Sequence, residues 1–236
     1  MGMNKEILPD GSFYLKRAQF TDGDYFSKTF VSQIKIYPFR YSVHSSLLNF
    51  VKSPQIMKVA ILVDIQYRIN SAGNYVPKEA ALLVIAQRDG IVARVEEWWS
   101  VFRTTEPDSK IPAPIRQTNR WLEKHHHGFS SDDGFTNPDF LRHKIQQLVN
   151  KYSAEGVQLF VKGRQKVVYI ENILQELRCK NLEDFDAPKL SSFSPLYHRR
   201  CLLDHVGVCA REIVYQLYRW IDLDQKWVSL NAYMRK

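Results

Sequence analysis

Met57-Lys-Val-Ala-Ile-Leu-Val-Asp-Ile-Gln-Tyr-Arg-Ile69 is the stretch on which the fold turns. It is rich in β-branched residues and partly alternates, so it predicts a strand. Asn70-Ser-Ala-Gly-Asn74 follows with turn chemistry. Glu79 to Ala86 then predicts a second strand, buried on both faces. Arg88-Asp-Gly90 has the Asp-Gly hairpin form, and Ile91 to Phe102 predicts a third strand. Three strands joined by short turns make an antiparallel meander.

Downstream the pattern changes. Thr104 to Pro138 is long and polar, with Pro107, Pro112, Pro114, three adjacent histidines and Asp132-Asp-Gly134. It reads as irregular, with a short helix near Ile115 to Glu123. Connections this long are often functional. Asp139 to Lys151 places Leu141, Ile145, Leu148 and Val149 on one helical face. Gly156 to Val161 predicts a short strand, Val167 to Arg178 a helix, Leu182 to Phe185 a weak strand, and Ala210 to Ile221 a strongly striped helix. The order β-β-β-α-β-α-(β)-α predicts an α/β fold with a mixed sheet and helices on its faces. Ribonuclease H-like folds, including the DEDDh proofreading exonucleases, use this order.

Upstream, residues 1–50 are polar with scattered aromatics and predict an N-terminal extension. One alternating run, Phe30 to Ile36, has the form of a strand added to the rest. Residues 51–236 predict a single domain. The chain has 236 residues with 33 Lys+Arg against 25 Asp+Glu, a net charge of +8. This favours nucleic acid or an acidic partner without requiring one. Three Cys make no disulfide framework and point to a reducing compartment with room for one metal site. The longest apolar run, Ala80 to Ala86, is too short to span a bilayer, and the first thirty residues lack a secretory h-region.

A nuclease of this fold needs clustered carboxylates to hold two divalent ions. The first strand offers Asp64-Ile-Gln66, an amide where the exonucleases place a second acid, and amides are weaker ligands for hard cations. The region Val161 to Leu174 adds only Glu171. The plainer reading of Asp64 is a polar residue on the exposed face of a strand. Cys201, His205 and Cys209 lie within nine residues, with N and S donors that suit zinc. On one continuous helix, positions 201 and 209 would stand about 12 Å apart. Gly207 between them favours a loop entering a helix. Buried free thiols are the alternative, and His198 is a spare ligand.

The residues resemble the Maelstrom domain. The similarity starts at Lys58-Val-Ala-Ile-Leu-Val-Asp-Ile-Gln-Tyr67 and runs through Asn74-Tyr-Val-Pro-Lys-Glu-Ala-Ala81. It continues at Asp89-Gly-Ile91 to Trp99, His127-Gly-Phe129 and Phe160-Val-Lys-Gly163, and closes on Cys201 to Trp220. Many members carry an HMG-box ahead of the domain, which this sequence does not show. The resemblance implies an RNase H-like fold that lost the exonuclease acids and gained one structural zinc, here on Glu79, Cys201, His205 and Cys209. It also implies single-stranded RNA as partner, together with piRNA-pathway proteins. The setting implied is germline transposon silencing, in perinuclear nuage and the nucleus, with no small-molecule substrate. An RNA endonuclease activity is attributed to the family without the two-metal acids.

Other features carry two readings each. Lys162-Gly-Arg164-Gln-Lys166 sits between a strand and a helix and suits phosphate or solvent equally. Arg199-Arg200 is a second basic spot, and with Lys162, Arg164 and Lys166 it makes up the candidate RNA-binding face, where Tyr169 and Tyr197 are candidates for stacking on bases. His125-His-His127 reads as solvated. Trp98 and Trp99 point to opposite faces, one into the core and one outward. Cys179 reads as a free thiol. The rival functions are an active metal-dependent nuclease and a protein-interaction module.

Overall fold

The computed structural model describes residues 3–7, 13–17, 58–88, 90–189, 192, 209–223, 226, 227 and 230. The chain divides into two units, Met1–Pro54 and Gln55–Lys236. In the first, strands β1 (Met3–Ile7) and β2 (Phe13–Arg17) pair antiparallel, Met3 against Arg17. The sequence reading did not anticipate this hairpin. The strand expected over Phe30 to Ile36 lies outside the described residues.

In the second unit the meander is present as β3 (Lys58–Ile69), β4 (Tyr75–Arg88) and β5 (Ile91–Val101). Helix α1 (Ala113–Leu122) lies within the long polar segment. Then follow α2 (Phe140–Tyr152), β6 (Gln158–Val161), α3 (Arg164–Leu174), β7 (Cys179–Asn181) and α4 (Ala210–Leu223). The sheet order is β5-β4-β3-β6-β7. β4 runs antiparallel to its two neighbours β3 and β5, whereas β6 runs parallel to β3 and β7 parallel to β6. This is a five-stranded mixed sheet with the meander on one side and the parallel strands on the other, as the α/β reading expects of a mixed sheet.

Alternation along the central strands builds two cores. Val59, Ile61, Val63 and Ile65 pack with Leu82 and Val84 against Leu141, Ile145 and Leu148 of α2 and Ile170 and Leu174 of α3. Ala60 and Leu62 pack with Ala81, Leu83 and Ile85 against Ile213, Val214, Leu217 and Ile221 of α4. Both faces of the sheet are covered, which is why β3 and β4 read as near-continuous apolar runs. The two tryptophans do point to opposite faces, but both are partly buried, Trp98 on the first core and Trp99 on the second.

The expected weak strand over Leu182 to Phe185 is instead a short 3-10 turn, and the strand precedes it as β7. Asn181 opens the turn by accepting from the Glu183 amide through its side chain at 3.2 Å, a helix-capping use of asparagine. A bulge between Gln66 and Tyr67 sets Gln66 opposite Glu79 and Tyr67 opposite Pro77, leaving Lys78 as the extra residue. Bulges re-aim side chains and often sit beside functional sites.

Candidate functional site

The chain lays β4 and β5 on one side of β3 and β6 and β7 on the other, so the strand order reverses at β3. In open α/β sheets, ligands gather outside the carboxyl ends of strands at such a switch. Asp64 lies in the carboxyl half of β3 and is fully buried. This corrects the expectation of an exposed face: the strand is central, and helices cover both its sides. One carboxylate oxygen accepts from Gln66 Nε2 at 2.8 Å, and the other pairs with the Lys166 ammonium from the first turn of α3. Burial raises the Asp64 carboxyl above its ordinary range, and Lys166 pulls the other way. Glu171 turns to another task, accepting from the Cys179 amide at 3.1 Å.

The loop after β6 is tied inward as well. Lys162 is buried and donates to Glu183 Oε1 at 3.1 Å. The Gly163 amide donates to Asn181 Oδ1 at 2.9 Å, so it faces a side chain of this chain. Of the three cations Lys162, Arg164 and Lys166, two are ion-paired internally and Arg164 is exposed. Tyr169 meets Tyr67 edge-on at 5.3 Å and is partly buried. Arg199, Arg200 and Tyr197 lie outside the described residues.

Glu79 lies directly across from Gln66, so Asp64, Gln66 and Glu79 share the face covered by α4. Glu79 is fully buried. Its Oε1 accepts from Trp99 Nε1 at 2.6 Å, and its Oε2 from the Ala210 amide at 2.9 Å. Cys209 immediately precedes α4, is buried, and accepts from the Glu212 amide through Sγ at 3.4 Å. The fold thus brings Glu79 and Cys209 together at the N-terminus of α4. Cys201, His205 and His198 lie outside the described residues. Among the described residues no three His, Cys, Asp or Glu side chains gather as a metal-binding group. Glu79 and Cys209, with Cys201 and His205 preceding Cys209 in the sequence, are donor types that zinc takes, and in this structure both Glu79 oxygens accept hydrogen bonds from the chain itself. Cys179 sits apart on β7, where burial, then Glu171, pushes its thiol up to about 12.

The sequence reading missed a shallow polar pocket at the carboxyl end of β3, lined in part by Arg68, Lys78, Arg116, Arg120, Glu123 and His127. Lys78, the bulge residue, donates to the carbonyls of Phe102, Ser131 and Asp133 at 3.2, 3.3 and 2.6 Å. Burial, then the neighbouring Arg68, lowers its ammonium to about 8. Arg68 pairs with Asp108 at 2.7 Å. The signal was present as two cations interrupting apolar strands. The histidine run is also not the solvated loop expected: His127 is buried, His126 partly so and His125 exposed. They form a wide turn, Glu123–His127, closed by the Gly128 amide on the Glu123 carbonyl at 3.0 Å.

No protein-family model matches the chain, and no curated protein matches it. Among solved structures, it is similar to a 3'-exonuclease recognising the 3' end of a histone mRNA stem-loop. The identity is 10% and the TM-score 0.41, over 68% of this chain and 78% of that one. A full-length 3'-exonuclease is similar at 10% identity and TM-score 0.38, over the same shares. Neither identity is high enough to carry a residue's role across.

Proposed function

We propose that this chain is a single-stranded RNA-binding domain that does not cut by a two-metal route. The observation that supports this reading most is the Asp64–Lys166 pair. A two-metal nuclease needs that carboxylate free to hold a divalent cation. Here the ammonium of Lys166 already neutralises it, and Gln66 supplies an amide beside it. The net charge of +8 supports an anionic partner. The Maelstrom resemblance names that partner as RNA and the setting as piRNA-guided transposon silencing in germline nuage and nucleus.

The same reading includes one structural zinc on Glu79, Cys201, His205 and Cys209. The proximity of Glu79 to Cys209 at the start of α4 supports it. Bound there, zinc would tie β4 to the segment leading into α4.

A labelled oligouridine of about 20 nucleotides tests the main reading, because single-strand sites of this kind span roughly 4–16 nucleotides. Binding is expected, weakening steeply as salt rises, with the RNA left intact in magnesium or manganese. Cleavage dependent on either metal and lost in Asp64→Asn would overturn it, as would failure to bind at low salt. Elemental analysis of untagged protein tests the zinc. About one zinc per chain is expected, lost in Cys209→Ser and in Glu79→Gln. A metal-free, fully folded wild type would sink that part.

A further inference from the structure

The chain has five tryptophans. Trp220 and Trp227 are buried, and Trp98 and Trp99 pack on the two cores. Trp121, on α1, is 56% exposed. Its ring lies 5.5 Å from that of His125, tilted by 35°. This platform rests on a firm base. The Asn119 side chain clamps the end of β3, accepting from the Ile69 amide and donating to the Ile69 carbonyl, both at 2.8 Å. At the other end His127 is buried and accepts from the Phe129 amide through Nδ1 at 3.0 Å. The wide turn between these anchors holds His125 against Trp121.

The surroundings are cationic. Ala113 to His127 carries Arg116, Arg120 and Lys124 against Glu123 alone, besides the three histidines. The Arg116 guanidinium donates to the Asp108 carbonyl at 3.3 Å. Arg120 and Lys124 are exposed and make no ion pair among the described residues, and Arg120 stands close enough to Asp108 to help hold that carboxyl low. The contrast with the β6–α3 loop is direct, because there Lys162 and Lys166 face carboxylates of the chain itself.

An exposed indole beside unpaired cations is how sequence-tolerant single-strand binders hold a base and its flanking phosphates. A base offers its π-face only when it is not paired, so the partner that fits is a single strand. We propose that α1 is the strand-gripping element, with one base stacked on Trp121–His125 and adjacent phosphates on Arg120 and Lys124. This placement rests on the RNA-binding reading and adds to it where the strand lies.

Fluorescence anisotropy with labelled oligouridine on the full chain tests it. Trp121→Ala is expected to weaken binding roughly 5- to 160-fold, the range for loss of one stacked base. Trp121→Phe keeps most of the affinity but loses the quenching of tryptophan emission that RNA produces. Arg120→Ala with Lys124→Ala weakens binding to all sequences and lowers the salt slope by about 1.4, two single-strand phosphate contacts. All these side chains are exposed, so unchanged melting temperatures are expected. A wild type that binds RNA while Trp121→Ala binds equally well would overturn the placement and leave the RNA reading standing. A wild type that binds no RNA would overturn both.

Discussion

Asp64 carries a conflict that a metal would resolve in a nuclease and that a lysine resolves here. Its carboxylate has lost water on every side, and its charge is balanced by Lys166, with a further hydrogen bond from Gln66. Breaking such a pair by removing one partner costs roughly 3–5 kcal/mol. Lys166→Met is therefore expected to destabilise the fold at neutral pH. The pH dependence has a definite sign. The folded state holds the Asp64 proton more tightly than the unfolded chain does. Stability from this group is thus greatest below the ordinary carboxylate value and falls as pH rises through the raised one. Without Lys166 the carboxyl rises further, so the loss extends to higher pH. Urea titrations from acid to neutral pH should show Lys166→Met damaged least in acid, and Asp64→Asn with a flatter profile than wild type. An equal loss for Lys166→Met at every pH would refute the assignment.

At the scale of elements, the long segment between β5 and α2 is fastened by backbone contact. Phe102 bridges to Thr136, and the Arg103 amide donates to the Thr136 carbonyl at 2.8 Å. Gly134 makes this approach possible. Its φ is +105°, and a Cβ there would stand 2.3 Å from the Phe102 carbonyl oxygen, a backbone atom that has nowhere to go. Gly134→Ala is expected to cost roughly 2–4 kcal/mol from overpacking plus the left-handed backbone. Gly73 has φ +81° with open space around it, so Gly73→Ala should cost only about 1–2 kcal/mol. Equal melting temperatures for the two variants would contradict this. Element identity was mostly legible: β3, α2 and α4 begin within a residue of where periodicity placed them. β7 was not, because three residues carry no period, and only pairing with β6 makes Cys179–Asn181 a strand.

For the second unit as a whole, stability should be graded. β3 and β4 have both neighbours paired and both faces covered, so their amides should exchange with solvent only on global unfolding. α1 and the turn after it are held by the Asn119 clamp and by His127, with no buried residue on α1 itself. Their amides should exchange faster by local opening. Hydrogen exchange read by mass spectrometry would show this gradient. Protection on α1 equal to that on β3 would mean the segment belongs to the same cooperative unit. In the RNA complex, protection should rise on α1 if the strand lies where we place it.

Alternation, turn chemistry and helical stripes determined the class of fold, because β3, β4 and α4 bury whole faces and leave that pattern in the order of their residues. Asp64, Gln66 and Glu79 were also visible as chemistry. Their surroundings were not. That Lys166 reaches Asp64 across 102 positions, or that Glu79 meets the amide of Ala210 across 131, follows from chain crossings that leave no local pattern. The same holds for the histidine run, where one residue is buried and another exposed according to a single wide turn. Local periodicity records which side of an element is dry. Which charges meet in the dry region is decided only when distant elements pack, and in this molecule that meeting gave Asp64 a lysine for its counter-ion.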